Sequence, residues 1–362
     1  RLISSSSKYK LTVNGDTFVE TDAILGNSAW YDFGTFTGDV VIDGIFYGGT
    51  YDMSFGSLTI NSGGTYSATS GTTTITSENP SNWAINCDGT FTANSGTVNI
   101  TNPSTSNADI NCTGNVYNLE VGGNTVNWAE ADTTIDNDLT VTDLFRASSD
   151  VLALTVTGDV VIDNGGTLGD GEESTLTFGS LKINSGGTYS ATSGTTTITS
   201  TNGNGWAIRN TAAGTYTHNN GLVNLTGSIS IFGSTQPFYN LVVSSANQRY
   251  SNQNLVVEGN LTVDGGSLFN GNGEGSLIIN TTGDVVIAES GSGTLGGNGA
   301  TGAHYFGSLT INSGGTYAAT TGTTTITSET VGGFAINHDG TLNNNTGIFN
   351  VTTVDATLLD LT

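Results

Sequence analysis

The words FGSLTINSGGTYSATSGTTTITS fill residues 55–77, and they return almost unchanged at residues 178–200 and 306–328. No other feature restricts the fold so strongly. The stretch is nearly free of charge and sets its apolar side chains at intervals, as in Leu58, Ile60 and Tyr66. One copy cannot bury such side chains against itself. A neighbouring unit of the same kind must cover them, and so the pattern recurs along the chain.

The repetition extends further. GDVVID stands at residues 38–43 and 158–163, and GDVVIA at 283–288. KLTV at 10–13, DLTV at 138–141 and NLTV at 260–263 open three parallel passages; Leu11 to Leu139 is 128 residues and Leu139 to Leu261 is 122. Behind the shared sentence come WAINCDGTFTANSGTVNIT, WAIRNTAAGTYTHNNGLVNLT and FAINHDGTLNNNTGIFNVT. VYNLEV at 116–121 and FYNLVV at 238–243 close the first two passages, and the third reaches Thr362 before such an element. The expected organisation is an extension at residues 1–9 that can serve as an inter-subunit strand, then solenoid modules at 10–137, 138–259 and 260–362, the last truncated.

Within a module, short apolar cores such as LKI, TYS and TTTI alternate inward and outward residues and are separated by NSGG, TSG and DNGG. This is strand and corner chemistry, with connections too short for a crossover helix. No stretch has the apolar period of a helix, and the three prolines fall in polar connectors. The fold class is all-β. The expected architecture is a right-handed parallel β-helix (β-solenoid) of about 17 rungs, roughly 18–25 residues each, with about six rungs per module. A row of three β-sandwiches is the competitor, disfavoured because hairpin signals do not dominate. The glycine pairs Gly63-Gly64, Gly186-Gly187 and Gly314-Gly315 mark corners that need positive φ, and Asn61, Asn184 and Asn312 precede them as ladder or turn residues.

Composition removes several function classes. The net charge of −24 reflects 7 Lys and Arg against 31 Asp and Glu, so no basic patch is present to hold nucleic acid. No apolar run approaches the ~20 residues that span a bilayer. A Thr, Ser, Asn and Gly surface suits an extracellular, cell-surface or virion location.

The words FYNLVV, NLTVDGG, GTYTHNNGLVNLTGS and GSLTINSGG resemble those of long, repetitive, secreted or virion-associated β-solenoid proteins of environmental bacteria, archaea and phages. The resemblance covers the chain from about Leu11 onward. It implies the solenoid fold and a place among adhesins, surface fibres and phage fibres.

Candidate sites divide into copied and single positions. Asp39, Asp159 and Asp284, with Asp43 and Asp163, are copied at module spacing and read as positions set by the fold. The single clusters are Asp132, Asp136 and Asp138, and GDGEES at 169–174; they read as solvated loops, or as a weak structural calcium site, and no cofactor is expected. A paired carboxylate centre for sugar cleavage would occur once and break the repeat. No catalytic or metal residue is assigned: His218, His304 and His338 lack metal-ligand spacing, and His338 stands where the other modules have Cys87 and Asn210. Trp83, Trp206 and Phe334 recur at one place and Tyr66, Tyr189 and Tyr317 at another, which favours packing. The unrepeated Trp30 and Trp128 are the candidates for a surface contact. Cys87 and Cys112 lie 25 residues apart, about one rung, and are expected to stack and form a disulfide.

The functional expectation is a non-enzymatic extracellular structural protein, a rigid rod in a surface filament, fibre or adhesin that stacks end to end. Arg1, Leu2, Ile3, Lys8 and Lys10 at one end and Leu358, Leu359 and Leu361 at the other are the expected joint. The expected partners are copies of the chain itself and surface glycans. The alternative is a phage tail fibre or spike, or a glycan-binding or polysaccharide-cleaving β-helix.

Overall fold

The computed structural model of the chain describes residues 11–26, 33–101, 109–112, 114–123, 126–128, 132–147, 152–169, 172–211, 213–227, 230–232, 236–244, 248–251, 254–270, 277–296, 300–352 and 358–359. Among these, every strand pair is parallel and none of the residues is helical. The chain is a β-solenoid with three strands per rung. It divides into two compact units, one formed mainly by residues 1–177 and the other mainly by 178–362.

In the first unit, one ladder runs through Met53–Phe55, Thr72–Ile75, Thr97–Ile100, Asn118–Val121 and Leu139–Val141. A second runs through Thr17–Val19, Val40–Ile42, Leu58–Ile60, Trp83–Cys87 and Asp109–Cys112. A third stacks Ile24–Leu25, Ile45–Tyr47, Thr65–Ser67 and Thr90–Thr92. Residues alternate between core and surface along each strand, as the two-residue period dictates. Phe36, Phe46, Phe55 and Tyr66 meet edge-on inside, with ring centroids 5.6–5.7 Å apart.

The second unit repeats the plan. One ladder joins Ile208–Asn210, Ser230–Phe232, Gln248–Ser251, Ser267–Asn270, Gly293–Gly296, Gly315–Ala318 and Thr341–Asn343. A second joins Thr195–Ile198, Leu222–Leu225, Asn240–Val243, Leu261–Val263, Asp284–Ile287, Ser308–Ile311 and Phe334–His338. A third joins Leu255–Val257, Ile279–Thr281, His304–Phe306, Thr323–Ile326 and Ile348–Val351.

These ladders hold a feature that the repeats do not announce. In the second unit the first ladder carries Leu181 to Ile183 and the second carries their copies, Leu309 to Ile311. Likewise Thr195–Ile198 lies on the second ladder and its copy Thr323–Ile326 on the third. In the first unit, Val40–Ile42 and their copies at residues 160–162 also sit on different ladders. Each module therefore falls one strand short of the six rungs expected, and every copied word moves one face around the solenoid.

The rungs are fewer than the 17 or so anticipated. Rung length varies more than the repeat words suggest: Val40 pairs with Leu58, 18 residues on, but Leu181 pairs with Ile208, 27 residues on. The words KLTV and DLTV are also not equivalent. Val160 stacks on Leu139, while its copy Val40 stacks on Thr17, so the counterpart of DLTV is residues 16–19.

The corner glycines separate into two physical roles. Gly63, Gly186 and Gly314 have φ of +89°, +81° and +86°, where a side chain is strained. The glycine after each is required by space. A Cβ on Gly64 would lie 2.2 Å from the carbonyl oxygen of Ile42 in the preceding rung.

Candidate functional sites

The copied acids form a ladder with Asp16, Asp138 and the Asn residues of the same places, so Asp138 is a ladder residue and not part of a single cluster. Asp16 Oδ1 accepts the Asp39 N–H at 3.0 Å, and Asp39 Oδ1 accepts the Ser57 hydroxyl at 2.8 Å. Asn118 accepts from the Asp138 N–H at 3.2 Å, and Asp138 from the Asp159 N–H at 2.8 Å. Asn240, Asn260, Asp284 and Ser308 continue the same scheme at 2.9, 2.9 and 2.7 Å. The glycine of each GD or GN word makes room for it. A Cβ on Gly38, Gly158, Gly259 or Gly283 would come within 2.4 Å of the Asp or Asn oxygen of the rung before. These side chains serve the backbone of the next rung.

The single acid clusters are engaged locally as well. Asp132 Oδ1 accepts the Ala153 N–H at 2.9 Å, and Asp136 Oδ1 accepts from Asn115 Nδ2 at 2.8 Å. Within GDGEES, Asp170 and Gly171 lie outside the described residues. Among the described residues, no group of three or more His, Cys, Asp or Glu is arranged to hold a metal ion.

The copied aromatics split. Tyr66, Tyr189 and Tyr317 are fully buried. Tyr66 Oη shares a 3.0 Å hydrogen bond with Thr73 Oγ1, and Tyr317 Oη a 2.8 Å bond with Thr324 Oγ1. Burial pushes both phenols above their usual range. Trp83, Trp206 and Phe334 are half-buried and close a short loop. Its first residue caps it: Asn79 Oδ1 accepts the Trp83 N–H, Asn202 Oδ1 the Trp206 N–H and Thr330 Oγ1 the Phe334 N–H. Because copies step around the solenoid, Trp206 and Phe334 lead into strands on different ladders. They do not line up as one binding strip.

Cys87 and Cys112 occupy paired positions in adjacent rungs, with Cα atoms 4.6 Å apart, and their sulfurs are joined in a disulfide. Trp30 lies outside the described residues, and Trp128 is placed by its backbone alone, opposite Ile110 and Ala147. Of the expected joint, Arg1, Leu2, Ile3, Lys8, Lys10 and Leu361 lie outside the described residues. Leu358 and Leu359 pair through their backbone with Phe334 and Ile336.

Two places break the repeat in a way the histidine spacing did not suggest. His218 stacks on Tyr239, ring centroids 5.5 Å apart. Its Nδ1 accepts the Asn220 N–H at 3.0 Å, so in the neutral ring Nε2 carries the proton and donates to Glu258 Oε2 at 3.1 Å. The first module has Ala93 and Tyr117 at the two ring positions, and there a crevice of about 10 Å³ remains, room for one water. The second place is His304, fully buried in the core. Comparing the three residues two places before each FGSL word would have exposed it.

The fold and these contacts define the class: a parallel β-solenoid whose repeated polar side chains bond rung to rung. No known family, curated protein or solved structure matches the chain.

Proposed function

We propose that the chain is a non-enzymatic structural protein, a stiff solenoid element of an extracellular or virion-surface filament, fibre or adhesin. One observation carries this reading. The repeated Asp and Asn side chains, Asp16, Asp39, Asp138, Asn260 and Asp284 among them, accept hydrogen bonds from the next rung, module after module. The Cys87–Cys112 disulfide supports an oxidising location outside the cytosol.

End-to-end stacking of copies belongs to the same reading. Inward side chains of interior rungs, such as Val98, Ile100, Leu119 and Val121, are at most 3% exposed. Their counterparts on the first and last described rungs, Leu11, Val13, Leu342, Phe349 and Val351, remain half-buried. A further rung, of this chain or of a second copy, would complete the core and pair the strand edges. Sedimentation of the purified chain over a hundredfold concentration range tests this. Growth into polymers supports stacking, and a monomer throughout contradicts it. Release of reducing ends from a panel of neutral and acidic polysaccharides would contradict the non-enzymatic reading.

A further inference from the structure

Two residues before each FGSL word stand Met53, Leu176 and His304, all buried. An imidazole thus occupies a buried place that carries an apolar side chain in the other two copies. Its ring packs on Phe306 at 5.5 Å and Tyr317 at 5.8 Å, and its strand pairs with Ile279 on one side and Thr324 on the other. Nδ1 shares a 2.7 Å hydrogen bond with Tyr317 Oη, as the Met53 sulfur takes the Tyr66 hydroxyl at 3.9 Å. Nε2 is buried and has no hydrogen-bond partner among the described residues.

A neutral imidazole tolerates this place, but an imidazolium does not. It must donate from both nitrogens, and its charge would be buried without a counterion. Among the described residues, Tyr317 is the one other titratable group facing the ring, and burial keeps it un-ionised. The remaining titratable groups on the strands around it are directed elsewhere. Asp284 accepts from Ser308, Tyr305 is exposed on the outer face, and His338 ends its strand opposite Ile311.

We propose that His304 is an acid-sensitive latch in the core of the second unit, whose protonation loosens the rungs between residues 293 and 326. The corresponding rungs built on Met53 and Leu176 have no such group. This goes beyond the structural role and does not depend on it. Burial pulls the imidazole from 6.5 to about 4. With the folded value depressed, the full stabilisation is present above about pH 6.5. It is lost as pH falls from 6.5 towards 4, because only the opened state binds the proton there, and the loss levels off below 4.

Amide hydrogen exchange, corrected for intrinsic rates, tests the latch at pH 7, 5.5 and 4. Protection across residues 293–326 should fall by about 100-fold between pH 7 and 4, since the opened state takes up its proton near 6.5 and the folded state only near 4. Residues 53–75 and 176–198 should change far less. His304→Met, which copies the native Met53–Tyr66 contact, should remove the dependence while keeping the fold. The imidazole signal absent from His304→Met spectra should titrate well below 5. Titration of that signal near 6.5, or the same acid sensitivity in His304→Met, would overturn the proposal.

Discussion

The Asp and Asn residues in the GD and GN words show how one oxygen atom shapes its neighbours. Asp138 and Asn260 do the same task with different charge, since each presents Oδ1 to the next rung's N–H at 2.8–2.9 Å. Asp138→Asn should therefore leave stability within about 0.5 kcal/mol, whereas Asp138→Ala should cost about 1–2 kcal/mol by orphaning the Asp159 N–H. Urea unfolding of both variants checks this; equal losses would mean that the bond itself contributes nothing. Gly283→Ala places a methyl 2.3 Å from Asn260 Oδ1 and should cost about 1–3 kcal/mol. Gly203→Ala meets nothing within 4 Å and should be close to neutral. Inside the core, Tyr66→Phe should cost about 1–2 kcal/mol, because Thr73 Oγ1 loses its buried partner.

At the scale of strands and rungs, the disulfide is the sharpest test of register. Cys87 and Cys112 can bond because their strands pair position for position. Denatured, unreduced protein should show no titratable thiol, and reduction should cost about 2–4 kcal/mol, as closing a loop of this size implies. Two free thiols would refute the pairing. Much at this scale was legible in the sequence: strand positions followed from the two-residue alternation in words such as LTI and TTTI, and corners from NSGG. The second glycine of each corner was not legible, because its reason is a carbonyl in another rung. Nor was the one-face step of each module. Finding it requires counting strands that share no wording, such as residues 17–19 and 139–141. His304 was hidden for a similar reason, since its meaning lies in the comparison with its copies Met53 and Leu176 on other ladders.

Across the whole molecule, a repeated architecture goes with a repeated use of its polar side chains. Here the Asp and Asn oxygens are spread evenly and bonded to the next rung. The buried histidine stands apart as a point of pH sensitivity in a core whose other copies lack one. Charge fits this picture: with 31 acids and 7 bases the outer surface repels like copies side by side, which favours contact at rung ends over lateral clumping. Cryo-electron microscopy of the purified chain at rising concentration tests end-to-end stacking. Rods should lengthen by one chain at a time, with a spacing of about 4.8 Å along their axis from stacked parallel strands. Particles that stay one chain long at every concentration, or rods whose strands run along the axis, would contradict it.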